Sequence, residues 1–273
     1  MPAISTNMAA NSAVRYLNIN SNQETSSLSK LSSGSRITSA SDDAAGLAIS
    51  TRISSDITTL QQAATNVAQA TSILQTADGG ASNISDILAR MKSLASESAS
   101  GTTVQSSRAY INSEFSQLKS QIDAIASGTR YSGQSLLNGN AAFSGVSVLV
   151  GSSGSDTIAI TLSNLTSTAL AVTSLDVSSQ TGAASALASL DTAIDKVSSA
   201  RADIGALESR FNFSADSIST QTQNLQSANS AIKDVDIAAE QAKLSSAEVK
   251  TQAAVSAETA ANQMPQYLLK LLG

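Results

Sequence analysis

The side chains that could do chemistry in this sequence are its carboxylates, because the chain has 21 Asp and Glu residues but no His and no Cys. Without His and Cys there is no common general base, no imidazole or thiolate metal ligand, and no Ser–His–Asp or Cys–His arrangement. Two pairs of carboxylates lie close together in sequence, Asp42 with Asp43 and Asp234 with Asp236. An enzyme would have to work through such pairs.

Both carboxylate pairs are better explained as structural features. Asp42 and Asp43 follow Ser41, whose hydroxyl can cap a helix, and two carboxylates near a helix start interact favourably with its dipole. Asp234 and Asp236 are two residues apart, so they point to different helix faces and do not form a natural bidentate metal site. The sequence therefore predicts a protein that is not an enzyme, with no catalytic residue, no metal site and no cofactor.

The composition favours long helices that pack closely. Hydrophobic residues make up 41% of the chain, much of it Ala, aromatic residues are only 3%, and Pro occurs only at Pro2 and Pro265. The net charge of −5 argues against nucleic acid as a partner. No apolar run is long enough to predict membrane insertion, and the N-terminal residues do not resemble a cleaved signal peptide. Location in the cytoplasm, or export by a route without such a peptide, is expected.

A seven-residue spacing of apolar residues is the strongest pattern in the chain. It predicts a helical seam in each half and a hairpin turn near Gly101. A further track runs from Val104 to Ile125 and is flanked by Phe115 and Ile122. Two interpretations stay open: a bundle buried within one chain, which periodicity favours, or a coiled coil that also packs on other chains. The seam residues are Ile53, Leu60, Val67, Leu74, Leu88, Leu190, Val197, Ile204, Phe211, Ile218, Leu225 and Ile232.

Two further segments differ from the seams. Apolar residues alternate with small polar ones over 146–150 and 158–162, with "GSSGSD" between them, which predicts a β-hairpin capping one end of the helices. The segment "MPQYLLKLLG" is the most apolar part of the chain, and a helix that short is marginal in water. It needs a partner surface, and because Lys270 is its only basic residue, a protein is preferred to a membrane.

Several of these segments resemble bacterial flagellins. "LSKLSSGSRITSASDDAAGLAIS" (28–50) and "LQTADGGASNISDILARMKSLASESASG" (74–101) look like the N-terminal flagellin signature, and "RADIGALESRF", "IKDVDIAAE" and "ANQMPQYLLKLLG" look like the C-terminal one. The resemblance implies a mainly α fold: a long antiparallel helical coiled-coil bundle made by the two halves, with a small central β-hairpin. It implies inner-core helices at 1–40 and 236–273, a coiled-coil domain at 41–137 and 181–235, and a β-hairpin with a short surface segment at 138–180.

The same resemblance implies a function and partners. The chain would polymerise with itself into the extracellular flagellar filament used for swimming, after unfolded export by the flagellar type III system. A flagellar export chaperone, the filament cap, hook-associated junction proteins and an innate immune receptor would be its other partners. Residues in the receptor-contact positions are Arg90, Leu94 and Glu114, although Leu94 is equally suited to helix packing. The implied inner-core assembly residues are Ile4, Met8, Val14, Leu17, Met264, Tyr267, Leu268, Leu269, Leu271 and Leu272.

Three other classes of protein are alternatives to a filament subunit. A hook–filament junction protein shares similar terminal helices and is the nearest alternative. A signalling coiled coil such as a chemoreceptor hairpin would lack the β segment at 146–162 and the apolar tail. An enzyme based on carboxylates has no supporting constellation of residues.

Overall fold

The fold was obtained as a computed structural model that describes residues 7–139 and 144–272, without the side chains of Ser144, Pro265 and 267–272. Over these residues the chain forms helices α1 (Met8–Ser33), α2 (Ala44–Ala99), α3 (Gln105–Gly128), α4 (Gln180–Lys233) and α5 (Ile237–Leu272). The strands are β1 (Arg130–Tyr131), β2 (Gln134–Ser135), β3 (Ser144–Leu149) and β4 (Thr157–Thr161). The predicted mainly α-helical fold with a small β element is confirmed.

The chain divides into two compact units. Met1–Ser55 and Asn224–Gly273 form the first, here called the terminal unit, and Asp56–Gln223 form the second, the central unit. These limits differ from the predicted ones, which placed the ends of the inner core at 40 and 236 and set the β region apart. The predicted domains stay a prediction about how the chain works in an assembly.

The seven-residue tracks of α2 and α4 supply the core of the central unit. The predicted seam residues between 60 and 218 are each at most 3% exposed: Leu60, Val67, Leu74, Leu88, Leu190, Val197, Ile204, Phe211 and Ile218. A second seven-residue track of α2, three residues on from the first, contributes buried alanines such as Ala63, Ala70 and Ala77, which let neighbouring backbones approach. The three remaining seam residues, Ile53, Leu225 and Ile232, lie in the terminal unit and are half-buried.

Two ion pairs give the direction of α2 and α4 within the central unit. Arg201 Nε lies 2.8 Å from Asp78 Oδ1, and Lys92 pairs with Asp191. As α2 advances from residue 78 to 92, its partners in α4 run backwards from 201 to 191, so the helices are antiparallel. All four side chains are more than one third exposed. Such pairs contribute little stability, about 0–1 kcal/mol, and mainly report the register.

Helix α3 buries Ile111 of the predicted track and the two residues that flank that track, Phe115 and Ile122, but not the other members of the track. Val104, which begins the predicted track, is 62% exposed and precedes the helix, while Leu118 and Ile125 are only half-buried. A strict seven-residue track drifts around a straight helix, so the buried stripe of this short helix follows mixed spacings instead. Its apolar members are Ile111, Phe115, Ile122 and Ala126.

Arg108 joins α3 to the end of α2. It is buried, and its guanidinium donates from Nε to Ser98 O at 2.9 Å and from Nη2 to Ser100 O at 3.0 Å. The last carbonyls of a helix have no partner within the helix, and a cation is favourable there because the helix dipole is negative at its C-terminus. Arg108 therefore closes the turn around Gly101 that the sequence predicted.

A tight hairpin follows α3 where the sequence analysis expected helix up to residue 137. Helix α3 ends at Gly128, and strands β1 and β2 pair across Ser132 and Gly133, which both have positive φ. Such a two-residue turn matches the twist of paired strands. The hairpin explains a glycine inside α2, because a Cβ on Gly80 would collide with the Thr129 side chain. The Ser-Gly pair was the sequence signal for this turn.

The predicted β-hairpin is confirmed, but its surroundings differ from the expectation. Strands β3 and β4 are antiparallel, with Val146 opposite Ile160 and Val148 opposite Ile158. The Asn66 side chain donates to Leu149 O at 3.4 Å, so the hairpin touches α2 within its length rather than capping an end. The following segment, expected at the surface, is tied into the core by four side chains that are at most 1% exposed: Leu165, Leu170, Val172 and Val177.

Candidate assembly surface

The terminal unit is built on an antiparallel pair of helices from distant parts of the chain, α1 and α5. Asn7 Nδ2 donates to Ala261 O at 2.7 Å, and Ser27 Oγ donates to Glu240 Oε1 at 2.8 Å. Asn7, which precedes α1, thus contacts the later part of α5, whereas Ser27, near the end of α1, contacts its beginning. The two helices are therefore antiparallel. Asn7 also accepts from Ala10 N at 3.1 Å, which caps the start of α1. One side chain therefore begins α1 and fixes it to α5.

The chain segments at the other end of this helix pair are joined by backbone hydrogen bonds. Arg36 N donates to Lys233 O at 2.6 Å, and Val235 N donates to Gly34 O at 3.1 Å. Asp236 Oδ1 accepts from Ala239 N at 3.0 Å, so this carboxylate caps α5 as a structural residue. The loop after α1 is thereby held against the loop before α5.

The helix start at α2 uses a different cap from the predicted Ser41 hydroxyl. Asp43 Oδ1 accepts from Gly46 N at 2.8 Å, because Asp43 directly precedes Ala44, the first helical residue. Asp42 instead accepts from the N–H groups of Thr38 and Ser39, both at 3.0 Å. These bonds and the Thr38 hydroxyl lower the pKa of Asp42 to about 2. The "DD" pair is thus occupied with backbone capping.

Most of the buried side chains between α1 and α5 are small, with Leu244 and Glu240 as the larger ones. Buried residues recur every seven positions along α5, at Glu240, Ala247, Ala254 and Ala261, and Ser27 is the buried residue of α1. A stripe of alanines lets two helices approach closely but buries little apolar area per residue. This track was not predicted because its members are mostly Ala, which is common throughout the chain. Their seven-residue spacing was the available signal.

Glu240 is the one charged member of that track. It is 6% exposed, and it accepts from Ser27 Oγ and from Lys243 Nζ, the latter at 2.9 Å. The hydrogen bonds from Lys243 and then from Ser27 lower the pKa of Glu240 below its ordinary value of 4.5, because they favour the charged carboxylate. The buried charge is therefore satisfied within the helix pair.

The Glu240→Gln variant should lose an acid-sensitive part of the stability of the α1–α5 pair. A carboxylate with a lowered folded pKa stabilises the fold above its unfolded pKa, near 4.5, and this contribution is lost as the pH falls through the folded value. Hydrogen exchange of α1 and α5 amides in the unassembled chain, followed from pH 7 to pH 3, measures this. We expect protection to fall with pH in the parent chain and less steeply in the variant; equal slopes would contradict the assignment.

Large apolar side chains of the terminal unit remain uncovered within one chain. Met8 is 70% exposed, Tyr16 63% and Met264 59%. Met8 and Met264 are predicted assembly residues, whereas two others, Val14 and Leu17, are half-buried. Exposed apolar side chains concentrated on one helix pair are typical of an interaction surface.

The structure describes the remaining predicted assembly residues only in part. Ile4 lies outside the described residues. The backbone of α5 is helical up to Leu272, so the helix continues past Pro265 rather than breaking there. The assembly role of five further residues stays a prediction, because their side chains lie outside the described part of the chain: Tyr267, Leu268, Leu269, Leu271 and Leu272.

The three residues in receptor-contact positions lie in the central unit. Arg90 Nη2 pairs with Glu114 Oε1 at 2.7 Å, and both side chains are about half exposed at 56% and 45%. Leu94 is only 2% exposed, so it packs in the core of the single chain. The structure therefore brings two of the three together at the surface and places the third inside.

The described residues hold neither a recognisable metal site nor a membrane-spanning helix. Within 7–139 and 144–272, no group of three Asp or Glu side chains is arranged to hold a metal ion. Among the helices the structure describes, none has a stretch both long and apolar enough to cross a membrane.

Comparison with known proteins connects this helical architecture to one family. The family model for the bacterial flagellin N-terminal helical region matches residues 4–142, and that for the C-terminal helical region matches 187–272. A flagellin of Halalkalibacterium halodurans is 36% identical over 98% of this chain and 99% of its own length. The flagellar filament 30.7 kDa core protein of Treponema maltophilum is 34% identical, with the same coverage of both chains.

A solved structure agrees with the sequence comparisons. The crystal structure of Bacillus cereus flagellin matches with a TM-score of 0.53 and 28% identity, covering 60% of this chain and 94% of that one. The fold, with its long antiparallel helices and an α1–α5 pair that leaves large apolar side chains exposed, is of the mainly α-helical class. The chain belongs to the bacterial flagellin family, which is a family of structural proteins.

Proposed function

We propose that this chain is a structural subunit that polymerises with itself into the helical flagellar filament. The observation that carries the proposal is the α1–α5 pair, which leaves Met8, Tyr16 and Met264 largely exposed. A single chain gains nothing from these side chains in water, whereas burial against neighbouring subunits contributes about 1.5–3 kcal/mol for each large one. Contacts between unlike surfaces that do not close a ring produce an open helical polymer.

The finer parts of this function rest on membership of the family. They are unfolded export by the flagellar type III system, extracellular location, swimming motility, and binding of a flagellar chaperone, the cap and the junction proteins. Recognition by an innate immune receptor is supported by the exposed Arg90–Glu114 pair. The burial of Leu94 favours a packing role for that residue instead.

Seeded assembly of the purified full chain tests the proposal. We expect electron microscopy to show helical filaments whose length increases with time and with subunit concentration. A hook–filament junction protein, the alternative, would give short assemblies that stop growing. A strain lacking its own flagellin and supplied with this chain would then swim if the filament is functional. Failure to elongate from seeds under all polymerising conditions would contradict the proposal.

A further inference from the structure

The α1–α5 pair carries two grooves of opposite charge. The first, the basic groove, is lined by Gln23, Ser26 and Lys30 of α1 and by Lys243, Ser246 and Lys250 of α5. The second, the acidic groove, is lined by Glu24 of α1 and by Glu248, Thr251, Gln252 and Val255 of α5. Both grooves are open clefts of similar volume, about 440 Å³.

The two grooves lie on opposite sides of the helix pair. At 3.6 residues per turn, Lys243, Ser246 and Lys250 project to one side of the buried stripe that contains Ala247 and Ala254. Glu248 and Val255 project to the other side of the same stripe. The buried stripe separates the two sides of the antiparallel pair. One groove between α1 and α5 therefore lies on each side of the stripe.

The charges of the grooves are complementary. The basic groove holds three lysines, and the carboxylate among its lining residues, Glu240, is buried and already bonded to Ser27 and Lys243. The acidic groove has two carboxylates and no basic side chain among its lining residues. One of them, Glu24, accepts a long hydrogen bond of 3.4 Å from Thr251, a neutral partner that leaves its charge in place.

Each groove also continues into uncharged surface in the same direction along α5. On the basic side, the surface beyond Lys250 is formed by Tyr16, Ile19 and Ala257. On the acidic side, Val255 follows Glu248 and is half exposed. Two copies in the same orientation can therefore place lysines against glutamates and apolar side chains against apolar side chains. Neighbours in a helical polymer share such an orientation.

We propose that the basic groove of one copy of this chain binds the acidic groove of the next copy. The proposal rests on the proposed self-assembly and names the surfaces through which it occurs. The contact joins two different surfaces, so each copy keeps one groove of each kind unoccupied for a further copy. Opposite charges at the contact fix which side meets which and oppose the alternative of like grooves meeting.

Charge reversal tests the pairing. One variant carries Lys30→Glu and Lys250→Glu, a second carries Glu24→Lys and Glu248→Lys, and a third carries all four changes. We expect each two-residue variant to raise the critical concentration for seeded assembly by at least about tenfold, because like charges then face one another. The four-residue variant restores opposite charges and should assemble within about threefold of the parent chain. An equal mixture of the two-residue variants should assemble better than either alone.

Controls separate the pairing from folding and from the proposed function. Arg52→Glu with Arg210→Glu makes the same charge change as the Lys→Glu variant, at exposed positions outside both grooves, and should assemble like the parent chain. Circular dichroism of all variants checks that helicity is kept. Unchanged assembly of the two-residue variants, or failure of both the four-residue variant and the mixture, would overturn the pairing alone. Failure of the parent chain to assemble would overturn the proposed function, and the pairing with it.

Discussion

Removal of Tyr267–Gly273 is expected to leave a soluble helical chain that no longer polymerises. The deleted segment contains five of the predicted assembly residues, while the α1–α5 contacts found here, from Ser27–Glu240 to Asn7–Ala261, all precede it. The helix pair should therefore keep its internal contacts while losing apolar surface offered to neighbours. Electron microscopy after seeding reads out polymerisation, and circular dichroism reads out helicity.

A matched pair of full-length variants shows whether the lost apolar surface is the cause. Changing Leu268, Leu269, Leu271 and Leu272 together to Met keeps both length and apolar character, whereas changing them to Gln keeps length only. Leu, Met and Gln have similar helix propensities, so the helix itself is little affected. We expect filaments from the Met variant and none from the Gln variant. Filaments of normal length from the truncated chain or from the Gln variant would disprove the role of this segment.

Ile204→Asp is expected to unfold the central unit. Ile204 is 3% exposed in the seam of α4. The substitution removes a packed side chain and buries a carboxylate without a partner, which together cost roughly 4 kcal/mol or more. For a unit of this size we expect the melting temperature to fall by roughly 10–20 °C, with loss of helical signal at ambient temperature if the parent is marginal. Circular dichroism across a thermal ramp measures both.

Two neighbouring substitutions make that result specific. Ala202→Asp introduces the same side chain at an exposed position of α4 and should change the melting temperature by only a few degrees. Ile204→Val keeps the seam apolar and should cost about 0.5–1.5 kcal/mol. Equal melting temperatures for Ile204→Asp and Ala202→Asp would show that the seven-residue track is not the core of this unit.

The sequence predicted the elements whose signal comes from large side chains. The Leu, Ile and Val tracks of α2 and α4 repeat often enough that their seven-residue spacing stands out, and their members in the central unit are buried. Alternation of Val and Ile predicted β3 and β4 for a similar reason. A track made almost entirely of small residues is easier to miss. The Ala247–Ala261 stripe is such a case, because exposed and buried alanines look the same in sequence.

Other features could not be read from sequence because tertiary contacts decide them. The face that α3 buries depends on which neighbour it packs against, so a short helix with several apolar stripes is ambiguous. The burial of Leu165 and Val172 reflects where their loop lies rather than any periodic pattern. The opposite charges of the two α1–α5 grooves became visible only once residues from distant parts of the chain were placed beside each other.

The pairing of α1 with α5 also has a kinetic consequence. The hydrogen bond from Asn7 to Ala261 joins residues 254 positions apart, and that from Ser27 to Glu240 joins residues 213 apart. Contacts of such high contact order require the closure of a very long loop and form slowly. A chain still emerging from a ribosome or a channel has α1 but not yet α5. It cannot present the paired surface until its last helix is available, so the α1–α5 surface forms only late.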